Sequence, residues 1–221
     1  KDLEGTGKTG DKSNITSTAE FKDMYGELMI ETGNKLGVDP NLLAAVILVE
    51  SSGSGFVDGK LKVRFENHKF VARAGYSDLF AYNSSQKWKG HKWRNSTSDE
   101  WNTVHTGKQK DEYAAFMFAL TLDENAAYES ISMGMGQIMG FNYADAGYNS
   151  AKEMYDDFST GNEEQIRGMV TFISNYNNGK ALQALQDGNL ESFISQYNGS
   201  GMVDTYKNSM LQSKKDYINS K

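Results

Sequence analysis

Asp39-Pro40-Asn41-Leu42-Leu43-Ala44-Ala45-Val46-Ile47-Leu48-Val49-Glu50-Ser51-Ser52-Gly53 is the stretch on which the fold turns. Asp39 is a helix-capping residue type, and Pro40 suits the first helical position, where its missing N–H is no loss. From Leu42 to Val49 the run is apolar on every side, so the helix it predicts belongs at the centre of a core. The small residues after Glu50 end that helix and leave a carboxyl group at its C-terminal end. Partial desolvation and the negative end of the helix dipole both favour the neutral acid there. General-acid chemistry needs a carboxylic acid that keeps its proton near neutral pH. The plainer alternative is a solvated glutamate that only marks the end of a helix.

Upstream, residues 1–17 are rich in Gly, Lys, Thr and Asp and read as a flexible linker or arm. A helix starts near Thr18, with Ser17 as cap and Glu20 three residues on. It carries Phe21, Met24, Tyr25, Leu28 and Met29 at helical spacing. Downstream, Phe56-Val57-Asp58-Gly59-Lys60-Leu61 predicts a hairpin that pairs Val57 with Lys60, because Asp-Gly suits a two-residue turn. Continued outward, that register sets Glu66 opposite Ser51 and beside Glu50. Two carboxyls then flank one cleft, the arrangement two-carboxylate glycosidases use. The alternative for Glu66 is a salt bridge with Arg64, since Arg64, Glu66 and His68 alternate on one strand face. Asp58 is a weaker second acid, because the turn already explains it.

Residues 67–106 read as an irregular aromatic and polar lobe with a short helix near Val71. It holds Trp88, Trp93 and Trp101 and the basic run Lys87-Trp88-Lys89-Gly90-His91-Lys92-Trp93-Arg94. The tryptophans either stack on sugars and meet an anionic wall or simply pack a small subdomain. Further helices are expected over residues 111–122, 151–158, 163–176, 181–185, 190–197 and 206–217. The expected fold is therefore mainly α, one helical domain over residues 18–221 with a small β-hairpin.

The 221 residues carry a net charge of −6 and no cysteine. Disulfides and thiolate chemistry are excluded, and a sequence-independent nucleic-acid binder would usually be basic. No apolar run approaches the ~20 residues of a membrane span, and no signal-peptide pattern is present. His68, His91 and His105 lie far apart in the chain, without the spacing of a local metal motif, so no metal or organic cofactor is expected.

Two more segments carry chemistry. In Ser132-Met133-Gly134-Met135-Gly136-Gln137-Ile138-Met139-Gly140-Phe141-Asn142, glycines let backbone approach a ligand, and Gln137 can donate and accept. The same glycines could instead serve packing alone. Tyr197-Asn198-Gly199 reads alone as a helix end and a turn.

Together, residues 42–53, Val63-Arg64-Phe65-Glu66-Asn67-His68, Tyr76-Ser77-Asp78-Leu79, Glu112-Tyr113, residues 134–142 and Tyr197-Asn198-Gly199-Ser200-Gly201 resemble the N-acetylmuramidase domain of phage endolysins. The set is also similar to soluble lytic transglycosylases and goose-type lysozymes. The resemblance implies a lysozyme-like domain acting on bacterial peptidoglycan glycan strands at the cell wall, with Glu50 as catalytic acid. It places Gln137, Tyr197 and Asn198 around the glycan and gives Glu66, as second acid, and His68 a less settled role. Ser51, Gly134 and Asn142 fall in the matching blocks as candidate substrate contacts. Gly136 departs from the pattern, which usually has a bulky residue there. The expected context is one domain of a larger lysin or phage tail protein.

Overall fold

The computed structural model describes residues 10–51, 54–197 and 203–220, with the side chains of Lys87 and Trp88 outside that description. α1 (Thr18–Leu36) starts where Ser17 Oγ accepts the Glu20 N–H, as the spacing predicts, and stops at Gly37 in the left-handed conformation. α2 (Pro40–Glu50) is capped by Asp39, whose carboxylate accepts the Asn41 N–H. Residues 42–47 of α2 are all buried.

The Asp58-Gly59 turn joins β1 (Phe56–Val57) to β2 (Lys60–Leu61), pairing Val57 with Lys60 as expected. Both turn residues have positive φ, the geometry that matches the twist of the strands they connect. The ladder does not continue toward Ser51. At Lys62 the chain changes partner, its N–H donating to Gly55 O while its carbonyl accepts from Gly134 N. β3 (Val63–Phe65) then pairs antiparallel with a later strand, and Glu66 N donates to Ser130 O. Ser130, not Ser51, is thus the neighbour of Glu66 across the ladder.

After α3 (Asn67–Ala74), the expected irregular lobe contains a three-stranded antiparallel sheet. Its strands are β4 (Phe80–Ala81), β5 (Lys92–Trp93) and β6 (Asn102–Thr103), with a 3-10 helix over Ser84–Gly90 between the first two. Two-residue strands are too short to display an alternating pattern, which is why the sequence reads as irregular there.

α4 (Gln109–Leu122) and α5 (Glu124–Glu129) lead into β7 (Ile131–Met133), the partner of β3, and β8 (Ile138–Met139). β7 lies between β3 and β8 in a second three-stranded sheet. α4 closes the other edge of β3. Gln109 donates from Nε2 to Val63 O and accepts the Val63 N–H at Oε1, at 2.7 and 2.8 Å. Glu112 accepts the Phe65 N–H at 2.9 Å, and Tyr113 donates to Leu61 O at 2.6 Å. Side chains at positions 109 and 112 thus occupy the hydrogen-bonding edge that a continued hairpin would need.

A 3-10 turn over Gly140–Asn142 precedes α6 (Ala151–Phe158), α7 (Asn162–Asn175), α8 (Lys180–Gln186), α9 (Leu190–Tyr197) and α10 (Val203–Asn219). α2 packs on α1, α10 and α7, so the most apolar helix sits inside the bundle, as its sequence requires. The structure is mainly helical.

Part of the expected free arm is docked. Asn162 donates from its backbone to Asp11 O at 2.8 Å and from its side chain to Ser13 O at 2.7 Å. Ser54 Oγ donates to Asn14 Oδ1, and Ile15 packs against the core. The partners are residues distant in sequence, so composition alone gives no sign of the contact. Residues 1–9 of the expected arm lie outside the described residues.

Candidate active site

Glu50 is the last residue of α2, half-buried, and the next residue, Ser51, is buried and donates its N–H to Ile47 O. At the end of α9, Tyr197 lies within electrostatic reach of Glu50. Burial first, and the Glu50 charge second, raise the Tyr197 phenol well above its ordinary value. Its hydroxyl is therefore a proton-bearing donor at any working pH. The Tyr197 ring stacks on Phe193 at 5.4 Å and meets Phe172 and Tyr176, so its position is set by packing. Asn198, the other half of this pair, lies outside the described residues.

The turn between β7 and β8 carries Gln137 at a φ of 46°, a left-handed conformation uncommon for this residue type. The side chain holds the turn in place. Ser132 Oγ donates to Gln137 Oε1 at 2.9 Å, and Gln137 Nε2 donates to Gly134 O at 2.8 Å.

Gly134 is buried, and the room left by its missing Cβ is taken by Gln165, whose Oε1 would lie 2.8 Å from an added Cβ. That close packing requires a glycine by itself. At Gly136 the corresponding space is filled by Met169, which takes the room a bulkier residue would need. Asn142 is half-buried at the end of its 3-10 turn, which packs on α5 and α6.

A cavity of about 560 Å³ runs beside Gln137 and is lined by Lys62, Arg64, Lys108, Gln109 and His105. A second, of about 660 Å³, shares His105 and Thr106 and is lined further along by Gln86, Lys89 and Lys92. Shared lining residues make the two parts of one groove, with cationic side chains along it in a chain of net charge −6. Of the tryptophans, Trp93 packs against Phe118 at 5.4 Å, and Trp101 is partly exposed beneath the Arg94 guanidinium. The side chain of Trp88 lies outside the described residues.

Glu66 lies between β3 and α3 in a charged cluster. Arg64 Nε donates to its Oε1 at 2.8 Å. Its Oε2 lies 3.6 Å from His68 Nδ1 and 3.8 Å from His91 Nε2. His105 packs on His91 with ring centroids 4.3 Å apart, and its Nδ1 lies 2.7 Å from Glu112 Oε1. All three histidines of the chain therefore meet in one place, against the expectation from their spacing. They come from three segments that β3, α3 and the lobe bring together, which no local motif reveals. Burial lowers the His91 pKa to about 3, with the neighbouring His105 and His68 acting the same way. Burial also lowers His68, while Glu66 pulls it the other way.

Sequence reasoning missed Gln165. Fully buried, it accepts the Met135 N–H at 2.8 Å and donates to Phe158 O at 3.0 Å. An added Cβ on Gly55 would lie 2.1 Å from the same Oε1. Gln165 thus braces the hairpin after α2 and the Gln137 turn together. Asn162 and Glu163 on α7 are buried polar residues as well, so no signal in the sequence singles out Gln165.

Residues 39–217 match the model of the Muramidase family, described as N-acetylmuramidase. A crystal structure of the Burkholderia AP3 phage endolysin shares the fold, with a TM-score of 0.64 at 23% identity. The match covers 86% of this chain and 68% of that one. No curated protein matches the chain.

Proposed function

The chain belongs to the N-acetylmuramidase family, and from that premise we propose that it cleaves the β-1,4 bond between N-acetylmuramic acid and N-acetylglucosamine with Glu50 as general acid. Cleavage of peptidoglycan follows from the family. The observation that supports Glu50 in this role is its place at the C-terminal end of the most apolar helix, close enough for its charge to act on the Tyr197 phenol from a distant part of the sequence. Glu50 protonates the leaving oxygen as an oxocarbenium-like centre develops. Tyr197 is a fixed donor beside it, and Gln137 and Asn198 are assigned to sugar recognition. Ser51 and Gly134 act by shaping the backbone, and His68 and Asn142 are assigned to the outer parts of the site. The cationic groove suits a substrate bearing carboxylates. We read the domain as working at the bacterial cell wall, within a larger lysin or phage tail protein.

Water completing the reaction makes the enzyme a hydrolase of the lysozyme type. A second reading has its own support. Arg64 holds one oxygen of Glu66, and Ser130, not Ser51, stands across the ladder from it. That favours attack by the muramyl C6 hydroxyl and 1,6-anhydro products, with no second carboxylate. Mass spectrometry of fragments released from purified peptidoglycan decides between them. Reducing N-acetylmuramic ends support hydrolysis, and 1,6-anhydro ends support transglycosylation. Release of neither, with glycan binding intact, would replace catalysis by a binding role.

A further inference from the structure

We propose that Glu66, His68 and His91 form a binding site for a divalent transition-metal ion of the zinc class, which clasps the small lobe to the central sheet. One ligand atom from each residue lies within 4.8 Å of the others. Glu66 Oε2 is 3.6 Å from His68 Nδ1 and 3.8 Å from His91 Nε2. Tetrahedral ligands bound at about 2.0–2.2 Å stand roughly 3.4 Å apart, so modest side-chain movement closes the triangle. Two imidazoles and a carboxylate are a donor set suited to zinc, and they leave a fourth position for water.

A second observation points the same way. The His91 side chain is only 5% exposed. Among the described residues its Nδ1, like the buried Nδ1 of His68, has no hydrogen-bond partner. Buried polar groups are normally satisfied, and the orphaned His68 Nδ1 faces the same Glu66 oxygen toward which His91 turns its Nε2. The surroundings are those of an oriented site. Arg64 fixes the other oxygen of Glu66 at 2.8 Å, as outer partners of ligating carboxylates do. His68 is 37% exposed at its side chain, which gives an ion a way in.

The three ligands come from the residue joining β3 to α3, the first turn of α3 and the chain entering β5. An ion there joins elements that short strands alone hold weakly, and binding to the folded state raises stability.

The test uses the whole chain, stripped with a chelator and titrated with Zn²⁺ by calorimetry, with Co²⁺ absorption as a coordination signature. The expected result is one ion per chain, a tetrahedral Co²⁺ spectrum and a higher melting temperature. His68→Ala and Glu66→Gln, at partly exposed positions, should stay folded by circular dichroism and weaken binding at least about tenfold. Absence of Zn²⁺ binding by the stripped chain overturns the proposal. So does binding that both folded variants retain at full strength, because the ion then sits elsewhere.

Discussion

Gln165 accepts the backbone N–H of Met135 at 2.8 Å from inside the core. The same side chain fills the space that Gly55 and Gly134 leave by lacking a Cβ. One amide thus fixes the spacing between the hairpin that follows α2 and the turn that presents Gln137.

Replacing Gln165 by Leu keeps the volume and removes both hydrogen bonds. The buried Met135 N–H is left without a partner, a loss of ~1–3 kcal/mol. Urea denaturation should register that loss. Activity should fall beyond the effect of stability, because the Gln137 turn is no longer braced. Gly134→Ala should act in the same direction, through its positive φ and its collision with Gln165.

Gln137 offers a cleaner division between backbone strain and side-chain bonding. Gln137→Ala removes two hydrogen bonds and keeps the left-handed backbone, so a loss of about 2 kcal/mol is expected. Gln137→Gly removes the same bonds and relieves the strain, recovering roughly 1 kcal/mol of that loss. Equal stability of the two variants would mean that the turn relaxes when the side chain is gone.

Asp39 caps the helix that ends in Glu50 and pairs with Lys214 Nζ at 2.5 Å. Burial alone would raise its pKa, but the Lys214 ammonium and the Asn41 N–H outweigh that and lower it below 3.8. A depressed carboxylate contributes stability above its unfolded pKa and loses it as pH falls through the folded value. Stability should therefore decline below about pH 4 in the native chain. Lys214→Met should make the acid limb of the curve shallower. Asp39→Ala should cost about 1 kcal/mol at neutral pH through the lost cap. An unchanged acid limb in Lys214→Met would remove that ion pair from the account.

The helices were legible because their signals are local. Ser17 with Glu20, and Asp39 with Pro40, mark helix starts whatever the tertiary context, and an apolar run such as residues 42–49 has one stable environment. The turn at Asp58-Gly59 was legible for the same reason. What followed it was not, because a strand edge can be satisfied by side chains. Gln109 and Glu112, three residues apart on α4, do for β3 what a neighbouring strand would do. Glu66 was accordingly assigned the wrong neighbour. The histidine cluster was hidden by chain separation, and Gln165 by its resemblance to any polar residue on a helix. Glu50 and Tyr197 were connected only through resemblance, since nothing local links a helix end at residue 50 to one at residue 197.

The most direct test of the central claim is turnover of purified peptidoglycan by Glu50→Gln, measured beside its thermal melt. The substitution keeps the shape of the side chain and removes the proton that the leaving oxygen needs. A folded variant with turnover reduced roughly 100- to 10,000-fold is the predicted result. A folded variant that cuts at close to the native rate would contradict the assignment of Glu50 as the acid.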